Sequence, residues 1–77
     1  MNSATNMYSV VLFHSTNYAI WASNILKRNS VEHKMIPVPR HLSSDCGYCV
    51  RFLSKDRDIV YDLLMNNGVL FDKIEEI

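Results

Sequence analysis

The hydrophobic pattern of the first half of the chain predicts a buried strand followed by an amphipathic helix. Tyr8–Phe13 is almost continuously apolar and rich in β-branched and aromatic residues, which is typical of a central strand. Polar residues suited to a helix N-cap follow at positions 14–17. From there apolar residues recur at three- and four-residue steps, which predicts one face of a helix ending at Asn29-Ser30. That face comprises Tyr18, Trp21, Ala22, Ile25 and Leu26.

Two further strands are predicted in the middle of the chain. Lys34–Val38 is short and contains Pro37, which cannot donate to a sheet ladder and therefore indicates an edge strand. Tyr48–Leu53 alternates, so Tyr48, Val50 and Phe52 are expected on one face.

The last part of the chain predicts a second helix and a fourth strand. Ser54 is the expected helix N-cap, and Asn67-Gly68 is typical of a helix C-terminus that ends in a residue with left-handed (αL) backbone conformation. Val69–Ile74 is then the fourth strand. The apolar stripe of the helix comprises Ile59, Val60, Leu63 and Leu64.

The order β-α-β-β-α-β predicts an α+β fold of the ferredoxin-like type, with a four-stranded antiparallel sheet and both helices on one face. The first strand is expected at the centre of the sheet and the second at an edge. Residues 7–77 then form a single domain, and residues 1–6 form a disordered tail. Helices on one face leave the other sheet face open, which favours a homodimer through that face.

The amino-acid composition argues against several classes of function. Eight basic and eight acidic residues cancel, so there is no electrostatic footprint for nucleic acid. No apolar run approaches the ~20 residues that span a bilayer, and the first residues do not resemble a signal peptide. Two cysteines three residues apart without a secretory signal indicate reduced thiols, so we predict a cytoplasmic protein without membrane contact.

The candidate chemistry lies in the polar segment between the second and third strands. Cys46 is the candidate nucleophile, because a thiolate attacks sulfur and selenium readily. Arg40 supplies a fixed cation that can stabilise an anion on that sulfur. Backbone N–H groups around Ser43, Ser44 and Gly47 can form an anion-binding nest. This combination predicts a site for a thiolate or a persulfide-type anion.

A second thiol and three histidines leave other interpretations open. Cys46 and Cys49 have the spacing of a dithiol redox motif, although an extended chain would hold their Cα atoms roughly 10 Å apart, beyond the ~7 Å bridging limit. Cys49 otherwise is a small strand residue. His14 and His41 are candidate accessory residues, and His33 is expected to be solvated in a turn. The strong zinc spacings are missing, so no metal and no other cofactor is predicted.

The chain resembles a family of small domains of unknown function, the selenium/sulfur (Se/S) carrier-like proteins. Matching segments are Val11–Thr16, Ile36–Arg40, Leu42–Ser44 with Cys46-Gly47, and Arg51-Phe52, and the similarity extends over residues 7–75. The combination Pro-Val-Pro-Arg with Ser-Ser-x-Cys-Gly is the most specific part. The resemblance implies a role in handling sulfur or selenium, and it aligns Cys46 with the family's single cysteine. Cys49 departs from the family pattern.

We therefore predict a carrier or accessory protein rather than an enzyme. Cys46 would accept a sulfur or selenium atom as a persulfide or selenopersulfide, from a donor protein and for an acceptor protein. Two alternatives remain: a thiol-disulfide redox protein using Cys46 and Cys49, and a non-catalytic regulatory or dimerisation module. The sequence does not distinguish sulfur from selenium.

Overall fold

A computed structural model describes residues 7–42 and 45–77, so the predicted tail and the Ser43-Ser44 pair lie outside the described residues. The sheet has the strand order β2-β3-β1-β4, and every neighbouring pair is antiparallel. The predicted ferredoxin-like α+β fold is confirmed, with β1 at the centre and β2 at an edge. In chain order the elements are β1 Tyr8–Leu12, α1 Thr16–Arg28, β2 His33–Pro37, β3 Tyr48–Leu53, a short 3-10 helix Ser54–Asp56, α2 Arg57–Asn66 and β4 Lys73–Glu76.

The main core lies between the sheet and the two helices. Alternation along β1 and β3 directs one set of apolar side chains to the helices, and each large one contributes about 1.5–3 kcal/mol on burial. Residues of this core are Val11, Phe13, Val50 and Phe52 from the sheet side, with Ala19, Ala22, Ile25, Leu26, Val60 and Leu64 from the helices.

A second, smaller cluster covers the sheet face that was predicted to be open. Val10, Leu12 and Cys49 project to this face and are nevertheless fully buried. Four residues from β2, the following loop and the C-terminal end pack over them: Ile36, Val38, Leu42 and Ile77. The centre of this face is therefore covered by the chain itself. A homodimer through this face remains a prediction, and it would have to use the periphery of the face.

Two predicted core residues are on the surface. Trp21 is 41% exposed and stacks on Tyr18 with ring centroids 6.2 Å apart, because the buried stripe of α1 passes through Ala19 and Ala22 instead. Ile59 is 53% exposed, and α2 buries only Val60 and Leu64.

Several element boundaries also differ from the prediction. The fourth strand begins at Lys73 rather than Val69, because the amide of Val69 donates to the Leu64 carbonyl (2.9 Å) and completes the cap of α2. Gly68 has φ +73°, which is the left-handed backbone conformation predicted for the end of this helix. Ser54 begins the 3-10 helix, and its hydroxyl hydrogen-bonds that of Ser9 (2.7 Å) instead of capping α2.

His33 is also placed differently from the prediction. It is half-buried at the start of β2 rather than solvated in a turn. Its Nδ1 donates to the Val31 carbonyl (2.8 Å), since a carbonyl only accepts, and its Nε2 lies 2.9 Å from the Ser23 hydroxyl. The ring therefore ties the beginning of β2 to α1.

Candidate functional site

The candidate site forms at the sheet end where β1 stops and β3 starts. Antiparallel pairing places Val11 opposite Val50, so the residues after β1 lie beside the residues before β3. The junction between β1 and α1 therefore meets the segment that contains Cys46. Two segments that carried the family resemblance, Val11–Thr16 and Cys46-Gly47, converge there although 30 residues separate Thr16 from Cys46.

Cys46 is held between the core and the first turn of α1. Only 3% of the residue is exposed, and its side chain packs in the cluster between sheet and helices. Its Sγ lies 3.4 Å from the Thr16 hydroxyl oxygen. The backbone N–H of Tyr48 donates to the same sulfur at 3.5 Å. Both groups can donate to sulfur, and a thiolate is a better acceptor than a thiol.

The first turn of α1 adds a favourable field for an anion. An α-helix leaves its first N–H groups without intrahelical acceptors and carries partial positive charge at that end. Within the described part of the chain, the Ser15 side chain at the N-cap makes no capping hydrogen bond, and the first turn contains no acidic residue. Because Thr16 is the first residue of α1 and touches Sγ, negative charge on Cys46 would lie in this field.

His14 lies between two carboxylates, that of Asp45 next to Cys46 and that of Asp72 just before β4. Its Nδ1 lies 3.1 Å from a carboxylate oxygen of Asp45, and its Nε2 lies 3.8 Å from one of Asp72. Asp72 is itself fixed by its N–H, which donates to the Leu12 carbonyl at 2.7 Å. His14 thus contacts the residue next to Cys46, and its accessory role stays a prediction.

Cys49 occupies a different environment from Cys46. Cys49 is fully buried in the cluster on the sheet face away from the helices, whereas Cys46 belongs to the cluster on the helix side. Cys46 and Cys49 are not joined to each other by a disulfide. Burial, and secondarily charge on Cys46, raises the pKa of the Cys49 thiol from its ordinary value of 9.0 to about 11. Cys49 is therefore protonated at neutral pH and a poor nucleophile in the folded domain.

Arg40, His41 and Gly47 belong to the segment between β2 and β3, and all three are exposed. Arg40 and His41 are exposed in the turn closed by the Leu42 N–H and the Pro39 carbonyl (3.0 Å). Neither forms an ion pair with any residue in the described ranges. A Cβ placed on Gly47 would meet nothing within 4 Å, so the space beside it is open. Ser43 and Ser44 fall outside the described residues.

Thr16 and Asp72 are site residues that the sequence reasoning did not single out. Thr16 appeared among the polar residues suited to capping and as the last residue of the resembling segment Val11–Thr16, but it was given no role at the site. Its position could have been inferred from the fold, since antiparallel β1 and β3 in a ferredoxin-like sheet place the end of one beside the start of the other. Asp72 had no such signal, because the start of β4 was misplaced.

Comparison with known protein families assigns the chain to one of them. The family model described as "Putative Se/S carrier protein-like" matches residues 8–76. The chain belongs to this family. The match includes every described residue of the candidate site, and it confirms the resemblance that the sequence motifs indicated. Searches of curated proteins and of solved structures return no match for the chain.

Two further findings describe the molecule around the site. In residues 7–42 and 45–77, neither helix combines the length and the apolar character needed to cross a bilayer. Within the same ranges, no three His, Cys, Asp or Glu side chains come together as a metal-binding group.

Proposed function

We propose that this Se/S carrier-like domain carries a sulfur or selenium atom covalently bound to Cys46. The observation that supports this most strongly is the contact of the Cys46 sulfur with Thr16 at the start of α1. A persulfide or selenopersulfide ends in an anionic chalcogen atom, which such a helix end stabilises. Family membership supports the same cargo.

The transfer step exchanges one sulfur–sulfur bond for another. The Cys46 thiol loses its proton to water, and the thiolate attacks the terminal sulfur of a persulfide on a donor protein. The Cys46–sulfur bond forms as the donor's sulfur–sulfur bond breaks, and the donor leaves as a thiolate. An acceptor thiolate then attacks the terminal atom, and Cys46 leaves. A selenium atom follows the same scheme, and neither step requires an external oxidant or reductant.

Burial of Cys46 means that loading requires a local movement. With 3% of the residue exposed, a donor sulfur reaches Sγ only after the 45–47 segment shifts outward. Asp45 and Gly47 on either side are exposed, and the space beside Gly47 is open. A partner can therefore approach this segment before it opens, and closure afterwards would shield the bound atom from water and free thiols.

The direct test is loading followed by site mapping. Reduced protein is incubated with a persulfide donor such as cysteine persulfide, and its intact mass is measured before and after thiol treatment. We expect a gain of one sulfur atom that fragmentation of the peptide assigns to Cys46 rather than Cys49 and that the thiol releases. Failure to gain mass, or a gain confined to Cys49, would overturn the proposal.

The anionic character of the cargo predicts opposite effects of one substitution on stability and on loading. Asn17→Asp places a carboxylate in the first turn of α1, where it should stabilise the helix by about 0.3–1 kcal/mol. The same charge repels a thiolate or persulfide on Cys46, so we expect loading to slow several-fold. Denaturant unfolding and loading rate are measured on the same sample.

Asn24→Asp is the matched control for this substitution. It introduces the same charge on α1, seven residues further along the helix. Seven residues correspond to about 10 Å of helix, which is about one Debye length at ordinary salt concentrations. Loading by the Asn24→Asp variant should be close to that of the parent. Equal loading rates for Asn17→Asp and the parent would show that the helix end does not act on the cargo.

A further inference from the structure

A second polar site lies at the other end of the sheet from Cys46. A cavity of about 180 Å³ opens between the start of β1 and the edge strand β2, and Tyr8, Lys34, Arg51 and Leu53 are among its lining residues. The five residues of β1 separate this end from the Cys46 end by roughly 16 Å. The cavity is therefore distinct from the proposed transfer site.

Two cations face each other on the wall of this cavity. Lys34 on β2 is the direct cross-strand partner of Arg51 on β3, so both side chains project to the sheet face away from the helices. Like charges directly opposite each other destabilise a sheet. Among the described residues, neither cation forms an ion pair with an acidic side chain.

The neighbouring acidic residues do not cancel this positive field. Glu32 lines the cavity and is the only acidic residue among its lining residues. Glu75 is brought to the same sheet face by its pairing with Val10, but it does not line the cavity and forms an ion pair with Lys73 (3.7 Å). Two cations and one carboxylate leave the cavity with net positive charge.

Arg51 is also held in a fixed orientation. Its guanidinium lies over the Tyr8 ring, 4.4 Å from the ring centroid. The N–H donors of a guanidinium held over an aromatic ring lie in the guanidinium plane and stay available to other partners, which suits bidentate binding of a carboxylate or phosphate.

We propose that this cavity binds a small oxyanion, carrying a carboxylate or a phosphate group, between Lys34 and Arg51. Arg51 supplies the oriented donors, and Lys34 supplies a second, mobile charge. The bound oxyanion removes the repulsion between the two cross-strand cations. A cavity of this volume accommodates a small molecule rather than a folded segment of a partner.

The experiment is an NMR titration of ¹⁵N-labelled protein with inorganic phosphate and, separately, with succinate. Ionic strength is held constant with sodium chloride. We expect saturable shifts at the amides of residues 8, 32–34 and 51–53, with one dissociation constant for all of them. The anion that saturates at the lower concentration identifies the preferred group, phosphate or carboxylate.

Charge-removing variants locate the binding determinant. Arg51→Gln and Lys34→Gln should each weaken binding at least about tenfold, because each removes a charged hydrogen-bond donor to the anion. Arg51→Gln also loses the contact with Tyr8, which could disturb the local fold. Lys34 is exposed, so Lys34→Gln leaves the fold intact and tests the site independently. Arg57→Gln, which removes an exposed cation from α2 on the other side of the sheet, is the matched control and should bind as the parent does.

The same titration can overturn the proposal. Non-saturable shifts spread over all basic residues would show general screening, and unchanged affinity in both the Lys34→Gln and Arg51→Gln variants would remove the site. Sulfur loading at Cys46 is measured in parallel, so that loss of the anion site and loss of the proposed carrier function are scored separately.

Discussion

Replacement of Cys46 by serine is expected to abolish loading with sulfur or selenium, whereas Cys49→Ala should load at nearly the parent rate. The first substitution keeps the size of the side chain and its partner Thr16 but removes the nucleophile. The second removes a thiol that is fully buried on the other side of the sheet and protonated at neutral pH. Intact mass after incubation with cysteine persulfide measures both outcomes.

The two variants also separate the carrier from the dithiol alternative. A dithiol protein needs both sulfurs, so Cys49→Ala would then lose activity as completely as Cys46→Ser. The parent protein would then also form a reversible disulfide on mild oxidation, detectable as a loss of two hydrogen atoms from the intact mass. Near-ultraviolet circular dichroism of both variants confirms that loss of loading is not loss of fold. Equal loss of loading by two folded variants would favour the dithiol mechanism.

The sequence predicted the position of a strand in the sheet correctly where the residue pattern depends directly on that position. The continuous apolar run of β1 and the proline in β2 correctly predicted a central and an edge strand, because both reflect how many neighbours a strand has. The boundary of β4 was wrong because Val69 is apolar for another reason. It packs as part of the α2 cap, and a hydrophobic residue directly after a helix stop is typical of that motif.

The sequence proposed Cys46 as the centre of the candidate site but did not specify the side chains that surround it. Cys46 and the accessory position of His14 come from local sequence and resemblance, and the structure brings the two segments together. The contact with Thr16 and the burial of Cys46 depend on strand register, which a pattern of single residues does not specify. The same limit applies to Leu42 and Ile77, whose packing over Cys49 turns an expected open face into a covered one.

Burial of Cys49 has a large expected effect on stability at high pH. The thiol has an ordinary pKa of 9.0 in the unfolded chain and a pKa of about 11 in the folded domain, mainly because burial disfavours the thiolate. Below pH 9 both states keep the proton, so Cys49 adds no pH dependence. Between pH 9 and 11 the unfolded chain binds fewer protons than the folded domain, and the free energy of unfolding therefore falls as pH rises. The total loss is about 2–3 kcal/mol, since the shift is about two pKa units and one unit corresponds to about 1.4 kcal/mol.

The measurement compares urea unfolding of the parent and the Cys49→Ala variant at pH 8 and at pH 11. Every other titratable group is common to both proteins, so the difference between their pH dependences isolates Cys49. The variant has a small cavity that lowers its stability at both pH values by the same amount. The parent should therefore lose about 2–3 kcal/mol more than the variant on going from pH 8 to pH 11. Parallel pH profiles would mean that Cys49 ionises in the folded domain as readily as in the unfolded chain, and the dithiol mechanism would then regain a second available thiolate.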